Sequence, residues 1–161
     1  MPQYDLNFAK NLTDVSTALL NQGLETPEAR RTVIYLSRLS MELSLKALLE
    51  LAGKPTLEIK SRGHDLQALL ADVESYEFEM KIFDDQWHSG TEIRKLNIPY
   101  NIHQIDMGTI IEAERHGASK FPNEIRYGDN VQDVAPEILT PASLILASWA
   151  HQCTGNVRRK S

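Results

Sequence analysis

RLSMELSLKALLELAGKPTLEIKSRGHDLQALL, residues 38 to 70, holds the second half of a long helix, a connection, and the capped start of another helix. The helix begins upstream. From Pro27 to Ala52 there is no internal Gly or Pro, and Leu, Ala, Glu, Lys and Arg dominate, all good helix formers. Thr26-Pro27 supplies an N-cap followed by proline at the first helical position. Gly53 ends the helix, with Pro55 just beyond. At 100° per residue, Leu36, Leu39, Leu43 and Ala47 share one face, and Ile34, Met41, Leu45, Leu48 and Ala52 a nearly opposite one. A helix apolar on two sides is central and needs at least two partners.

Between these faces lie Ser37, Ser40 and Ser44. Small residues there let a neighbouring helix approach closely; the alternative is three partly exposed serines. The remaining arc carries Arg38, Glu42, Lys46 and Glu50, each four residues from the next. Adjacent opposite charges at that spacing support a helix by a few tenths of a kcal/mol per pair. The run reads most simply as a solvated face; in the functional reading, Glu42 and Lys46 face a partner or ligand. Downstream, Gly63 permits a tight turn and His64 or Asp65 caps a helix whose stripe is Leu66, Leu69, Leu70 and Val73. His64 then sits where helix N–H groups point outward. It either braces the loop or contacts an anion, with Lys60 and Arg62 nearby.

Glu42-Leu43-Ser44-Leu45-Lys46-Ala47-Leu48-Leu49 followed by Gly63-His64-Asp65-Leu66 resembles the HEPN domain family, all-α bundles named for nucleotide binding in higher eukaryotes and prokaryotes. Relatives with this loop often carry an Arg-Tyr pair further on, and Ile125-Arg126-Tyr127 is similar to it. The resemblance implies an all-α, HEPN-like bundle of five or six helices and a ligand site drawn from Glu42, Lys46, His64, Asp65, Arg126 and Tyr127. Arg126 offers a planar fork for phosphate or carboxylate, or braces its loop against Glu42 or Asp65. Tyr127 stacks on a base or packs. Catalytic members of the family share an R-x4–6-H motif for metal-independent RNA cleavage, and no arginine here has a histidine at that spacing. The resemblance therefore implies a non-catalytic binding or regulatory module for a nucleotide, RNA or protein partner. The alternatives are a toxin or phage-defence ribonuclease with a displaced Arg/His site, using His103 or His116, and a structural oligomerisation domain.

With 161 residues, the chain suits one domain with a core of its own, residues 1–161 throughout. A net charge of −5 argues against broad non-specific DNA binding. Cys153 is the single cysteine, so no disulfide framework exists and a reducing, cytoplasmic location fits. MPQYDLNFAK has no apolar run of a secretory signal, and no segment is apolar for long enough to span a membrane. The five histidines, His64, His88, His103, His116 and His151, show no zinc spacing. No phosphate-loop, dinucleotide or nucleophile-elbow motif is present, so no metal or cofactor is expected.

The rest of the chain reads as further helices. The first runs from Asp5 or Asn7 to Gln22, with Phe8, Leu12, Val15 and Leu19 as its stripe. Leu57 and Ile59 pin the 53–63 connection to the core. Glu77 to Leu96 is helical in composition, interrupted at Gly90, with Phe78, Ile82, Phe83 and Trp87 as a buried face. Residues 97–103 make a turn around Pro99, and residues 105–120 another helix. Residues 121–136 are a long loop, and Thr140-Pro141 opens the last helix, with Arg158-Arg159-Lys160 at its C-terminal end. No segment alternates cleanly enough for a strand. The final helix is apolar over more than a narrow stripe, through Leu144, Ile145, Leu146 and Trp149. An uncovered apolar face predicts a homodimer.

Overall fold

Asp5 starts the chain's first helix, its carboxylate accepting the Asn7 N–H at 2.8 Å beside that of Phe8. The computed structural model describes residues 2–81, 86–100, 103–114 and 134–161. Helix α1 is Leu6–Gln22 and ends at Gly23, whose φ of 94° suits a residue without a side chain. Helix α2 is Pro27–Leu51, capped by the Thr26 hydroxyl on the Ala29 N–H at 3.1 Å. Leu45 and Leu48 on it are fully buried, as the two-faced pattern requires. Then come α3 (Thr56–Ser61) and α4 (Leu66–Val73). Ile59 in α3 is buried while Leu57 is 82% exposed, so only one of the two expected anchors enters the core.

The three serines take the close-approach role. Ser37 bonds the Thr140 hydroxyl at 2.8 Å, and Ser40 donates to the Ala9 carbonyl at 2.5 Å. Ser37, Ser40 and Ser44 are all fully buried. Thr13 and Ser143 bond each other at 2.5 Å. These hydroxyls form a polar seam joining α1 and α2 to the last helix.

The chain is not all-α. It is mixed, with two antiparallel sheets. Strands β1 (Tyr76–Met80) and β2 (Gln86–Ser89) form a hairpin. Helix α5 is Thr91–Arg94; strands β3 (Asn97–Tyr100) and β4 (His103–Asp106) form a second hairpin; α6 is Met107–Glu114. Helix α7 is Pro136–His151, and strand β5 (Cys153–Arg159) returns beside β1 in the order β2-β1-β5.

The period of two explains the difference. Phe78 and Met80 are buried while Glu77 and Glu79 are only partly so. Glu77 accepts from Arg158 at 2.7 Å and Glu79 from Asn156 at 2.6 Å, so cross-strand pairs satisfy the polar face. Arg158 also lies over the Trp87 ring, 4.2 Å from its centroid. Trp87 is thus on the outer face, 37% exposed, rather than in the core. Ile82 and Phe83 lie outside the described residues. Gly90 is not a weak point in a helix: a Cβ there would collide with the Val73 carbonyl, so glycine is what lets the chain pass α4 so closely.

Pro99, expected to make a turn, is an exposed strand residue in a two-stranded sheet, where a missing N–H costs least. The helix expected over 105–120 begins only at Met107, and its expected continuation lies outside the described residues. The last helix starts at Pro136 and carries Pro141 inside it. Thr140 is therefore no cap but part of the hydroxyl seam. Arg158, Arg159 and Lys160 do not complement a helix end; the two arginines are in β5. Trp149 is 8% exposed and meets Phe78 edge-on at 5.8 Å. Of the four residues that predicted a homodimer, Leu146 and Trp149 are buried within the chain, while Leu144 and Ile145 are half-buried. Among the described residues, no helix is long and apolar enough to cross a membrane.

Candidate functional site

Arg38, Glu42 and Lys46 stand one turn apart on α2, so their side chains form a single file. The file is not solvated: their side chains are 1%, 4% and 9% exposed. Lys46 Nζ donates to Glu42 Oε1 at 2.7 Å and Arg38 Nη2 to Glu42 Oε2 at 3.1 Å. The simplest reading of the charge run fails because i, i+4 spacing fixes which charges meet but not which way the row faces. Here it faces the turn before α4.

That turn is built by its sequence. Gly63 takes φ 57°, a left-handed conformation glycine adopts without strain. Asp65 caps α4, its carboxylate accepting the Ala68 N–H at 3.1 Å. Between them, His64 brings Nδ1 to 3.1 and 3.0 Å from the two Glu42 oxygens. A carboxylate only accepts, so Nδ1 carries the proton and donates. Arg38 Nη2 also donates to the His64 carbonyl at 3.1 Å, so one guanidinium ties the loop to the helix. The His64 side chain is 48% exposed, which makes it the outward member of an otherwise buried group.

Three donor side chains thus converge on one carboxylate. Burial by itself would raise the Glu42 pKa. The Lys46 hydrogen bond and charge, then the Arg38 charge and the His64 hydrogen bond, outweigh it and hold the group below the usual carboxylate range. A carboxyl depressed by folding stabilises the fold above its unfolded pKa, and the contribution is lost as pH falls through the folded value. Unfolding free energy is therefore expected to decline below about pH 4.5, the ordinary value. In Glu42→Gln this acid limb should be shallower. Equal acid limbs for the two proteins in urea titrations would contradict the assignment.

Two residues outside the expected ligand set extend the group. Tyr4 lies over Lys46, whose Nζ is 5.7 Å from the ring centroid. Burial, then the charges of Glu50 and Glu42, pushes the Tyr4 hydroxyl pKa up. Glu50, one turn beyond Lys46, accepts the Gln3 N–H at 3.0 Å and the Tyr4 N–H at 3.1 Å. Glu50 was visible as the last member of the charge run; nothing in the sequence tied Tyr4 to it.

Of the expected ligand residues, Glu42, Lys46 and His64 come together, and Asp65 stands beside them as a helix cap. Arg126 and Tyr127 lie outside the described residues, as does His116. His103 is in β4. Of the cations near His64, Arg62 is held by Asp72 at 2.8 and 3.0 Å, while Lys60 is exposed. Burial pushes the Cys153 thiol up to about 12, which leaves it protonated and unreactive at neutral pH. Among the described residues, no group of three or more His, Cys, Asp or Glu side chains is placed to hold a metal ion. Comparison of the chain with family models, curated proteins and solved structures finds no match.

Proposed function

We propose that this chain is a HEPN-like binding or regulatory module without cleavage chemistry of its own, and that its ligand carries a phosphate, as a nucleotide or an RNA does. A single observation supports the reading. Residues singled out on two separate motif segments, Glu42 and Lys46 on one and His64 on the other, meet on one carboxylate. The histidine faces outward beside two cations, Arg38 and Lys46, that share one carboxylate, on a chain of net charge −5. A cytoplasmic location belongs to this reading.

The test is calorimetric titration with ATP and with a short oligoribonucleotide. The wild-type chain should bind one of them saturably. His64→Ala and Arg126→Ala should each weaken binding about tenfold or more, the worth of one charge-assisted hydrogen bond. No binding by the wild type would leave the structural oligomerisation reading instead.

One observation favours a second reading. Glu42 fixes the His64 ring through Nδ1, as carboxylates orient the histidine of a general base. A ribonuclease built on that pair would cleave RNA in the presence of chelator and lose cleavage in His64→Ala; cleavage lost in His103→Ala or His116→Ala would point to a displaced site elsewhere.

Pairing of two copies is also part of the proposal, on a different face from the last helix. Phe8 and Val15 on α1 are 51% and 50% exposed, and Leu36, Leu39 and Leu43 on α2 are half-buried. Light scattering should return twice 18.2 kDa; a monomer mass unchanged on tenfold concentration sinks the dimer.

A further inference from the structure

Residues 2–4 run across the C-terminal part of α2 just before Asp5 opens α1. Their hold on it is narrow. The Glu50 carboxylate takes both the Gln3 and the Tyr4 N–H groups, and the Tyr4 ring rests over the Lys46 ammonium. Pro2, Gln3 and Asp5 are exposed, and only Tyr4 is partly buried. The Tyr4 ring also packs against the edge of the core, but the rest of the segment is loosely held: a groove of about 420 Å3, lined in part by Pro2, Tyr4, Ala47 and Leu51, opens between it and the helix. One carboxylate and one aromatic ring therefore keep this strap in place.

What it covers is chemically specific. Lys46 Nζ and His64 Nδ1 both bond Glu42 Oε1, at 2.7 and 3.1 Å. His64 is reachable from solvent, but the Lys46 side chain is 9% exposed, and its outer side is capped by Tyr4. A phosphate arriving at His64 could reach the ammonium only after the ring moved. An ammonium that loses a cation–π contact gains more from a phosphate oxygen, because a full opposite charge outweighs a ring quadrupole.

We propose that residues 2–4 are a displaceable strap that closes the phosphate seat: docked, it withholds Lys46; lifted, it lets Lys46 and His64 act on the same phosphate. This rests on the reading of the cluster as a phosphate site, and it adds that the free chain holds that site partly shut. A ligand that binds only the open form shifts the population toward it, and its apparent affinity is reduced by the fraction closed.

Hydrogen exchange at the Gln3 and Tyr4 amides reports docking directly, and ATP titration reports the seat. In the wild type these two amides should be protected and should lose protection at saturating ATP. In Glu50→Ala they should be unprotected from the start, and ATP should bind at least fivefold tighter. Removing Glu50 also removes a negative charge near Lys46, so Tyr4→Ala is the control. It leaves every carboxylate in place and should give the same direction of change. Tighter binding in Glu50→Ala with no change in Tyr4→Ala would be a charge effect and would overturn the strap. Unprotected amides in both variants with unchanged or weaker ATP affinity would also overturn it, leaving the phosphate reading intact. Absence of ATP binding in the wild type and in both variants would overturn that reading and the strap together.

Discussion

Replacing Glu42 by alanine should cost about 3–5 kcal/mol of unfolding free energy, because it strips the shared partner from two buried cations. Arg38 and Lys46 approach Glu42 from opposite turns of α2, with side chains 1% and 9% exposed. Without the carboxylate, both charges stay in a poorly solvated place and lose the counter-ion they share, and the His64 ring loses its bond to the helix. Truncation is a cost of this kind and is not the worth of the network. Bringing three ions out of water is itself expensive, and a well-packed apolar replacement of a buried network is often neutral or more stable by about 1–4 kcal/mol. Two measurements follow from one argument. Urea unfolding of Glu42→Ala should show a large drop in midpoint with an unchanged slope. The triple variant Arg38→Met, Glu42→Leu, Lys46→Met should recover most of that loss and yet fail to bind ATP. A loss below about 1 kcal/mol in Glu42→Ala, the range of exposed pairs, would mean the network is solvated and the site as described does not exist.

What the sequence made legible follows the same physics. Helices α2 and α4 were readable because each combines a capping side chain with an apolar stripe at the helical period; α1 was found by the same period, but Phe8 and Val15 of its expected stripe are exposed and its buried face is Ala9, Leu12, Thr13 and Ser16. Thr26 makes the cap bond expected of it, Asp65 rather than His64 caps α4, and Asp5 adds a cap to α1. The strands were not readable because they are short and carry helix-favouring residues. In Tyr76-Glu77-Phe78-Glu79-Met80, alternation is present over five residues, but Glu and Met favour a helix, and only pairing with a distant partner settles the choice. That partner, β5, lies seventy-odd positions later, begins at a cysteine and contains Gly155 at φ 103°, with nothing local to mark it as a strand. Long-range pairing overrides local propensity most easily where a segment is brief.

The candidate site shows a second limit of the same kind. Its internal contacts were half written in the spacing, since residues four apart on a helix must meet. Its burial was not. A buried charged row and a solvated one look alike in sequence; here the His64 loop, arriving from across the α3 connection, meets Arg38 and Glu42, and Tyr4 lies over Lys46. Tyr4 and Glu50 illustrate the point further. Their meeting depends on α1 folding back along α2, which brings the chain's start to the far end of the central helix.

That central position carries the second large prediction. Leu48→Ala should cost about 2–5 kcal/mol, in the upper part of the range for a buried leucine truncated to alanine. The size depends on whether neighbours can collapse into the space. Leu48 is fully buried on a helix that packs against α1, α4 and α7 together. α2 cannot move toward one of them without leaving another. The hydroxyl bonds from Ser37 to Thr140 and from Ser40 to Ala9 further fix its distance from α7 and α1. For a chain of this size, each kcal/mol lowers the melting temperature by about 2–4 °C, so calorimetry should see a fall of roughly 4–20 °C. Leu57→Ala is the matched control. The deleted atoms are the same, but Leu57 is 82% exposed, and the change should stay within about 0.5 kcal/mol. If the two variants lose equal stability, the sidedness of α2 and the outward placement of Leu57 are both wrong. If Leu57→Ala is silent while Leu48→Ala unfolds early, burial alone separates two chemically identical truncations.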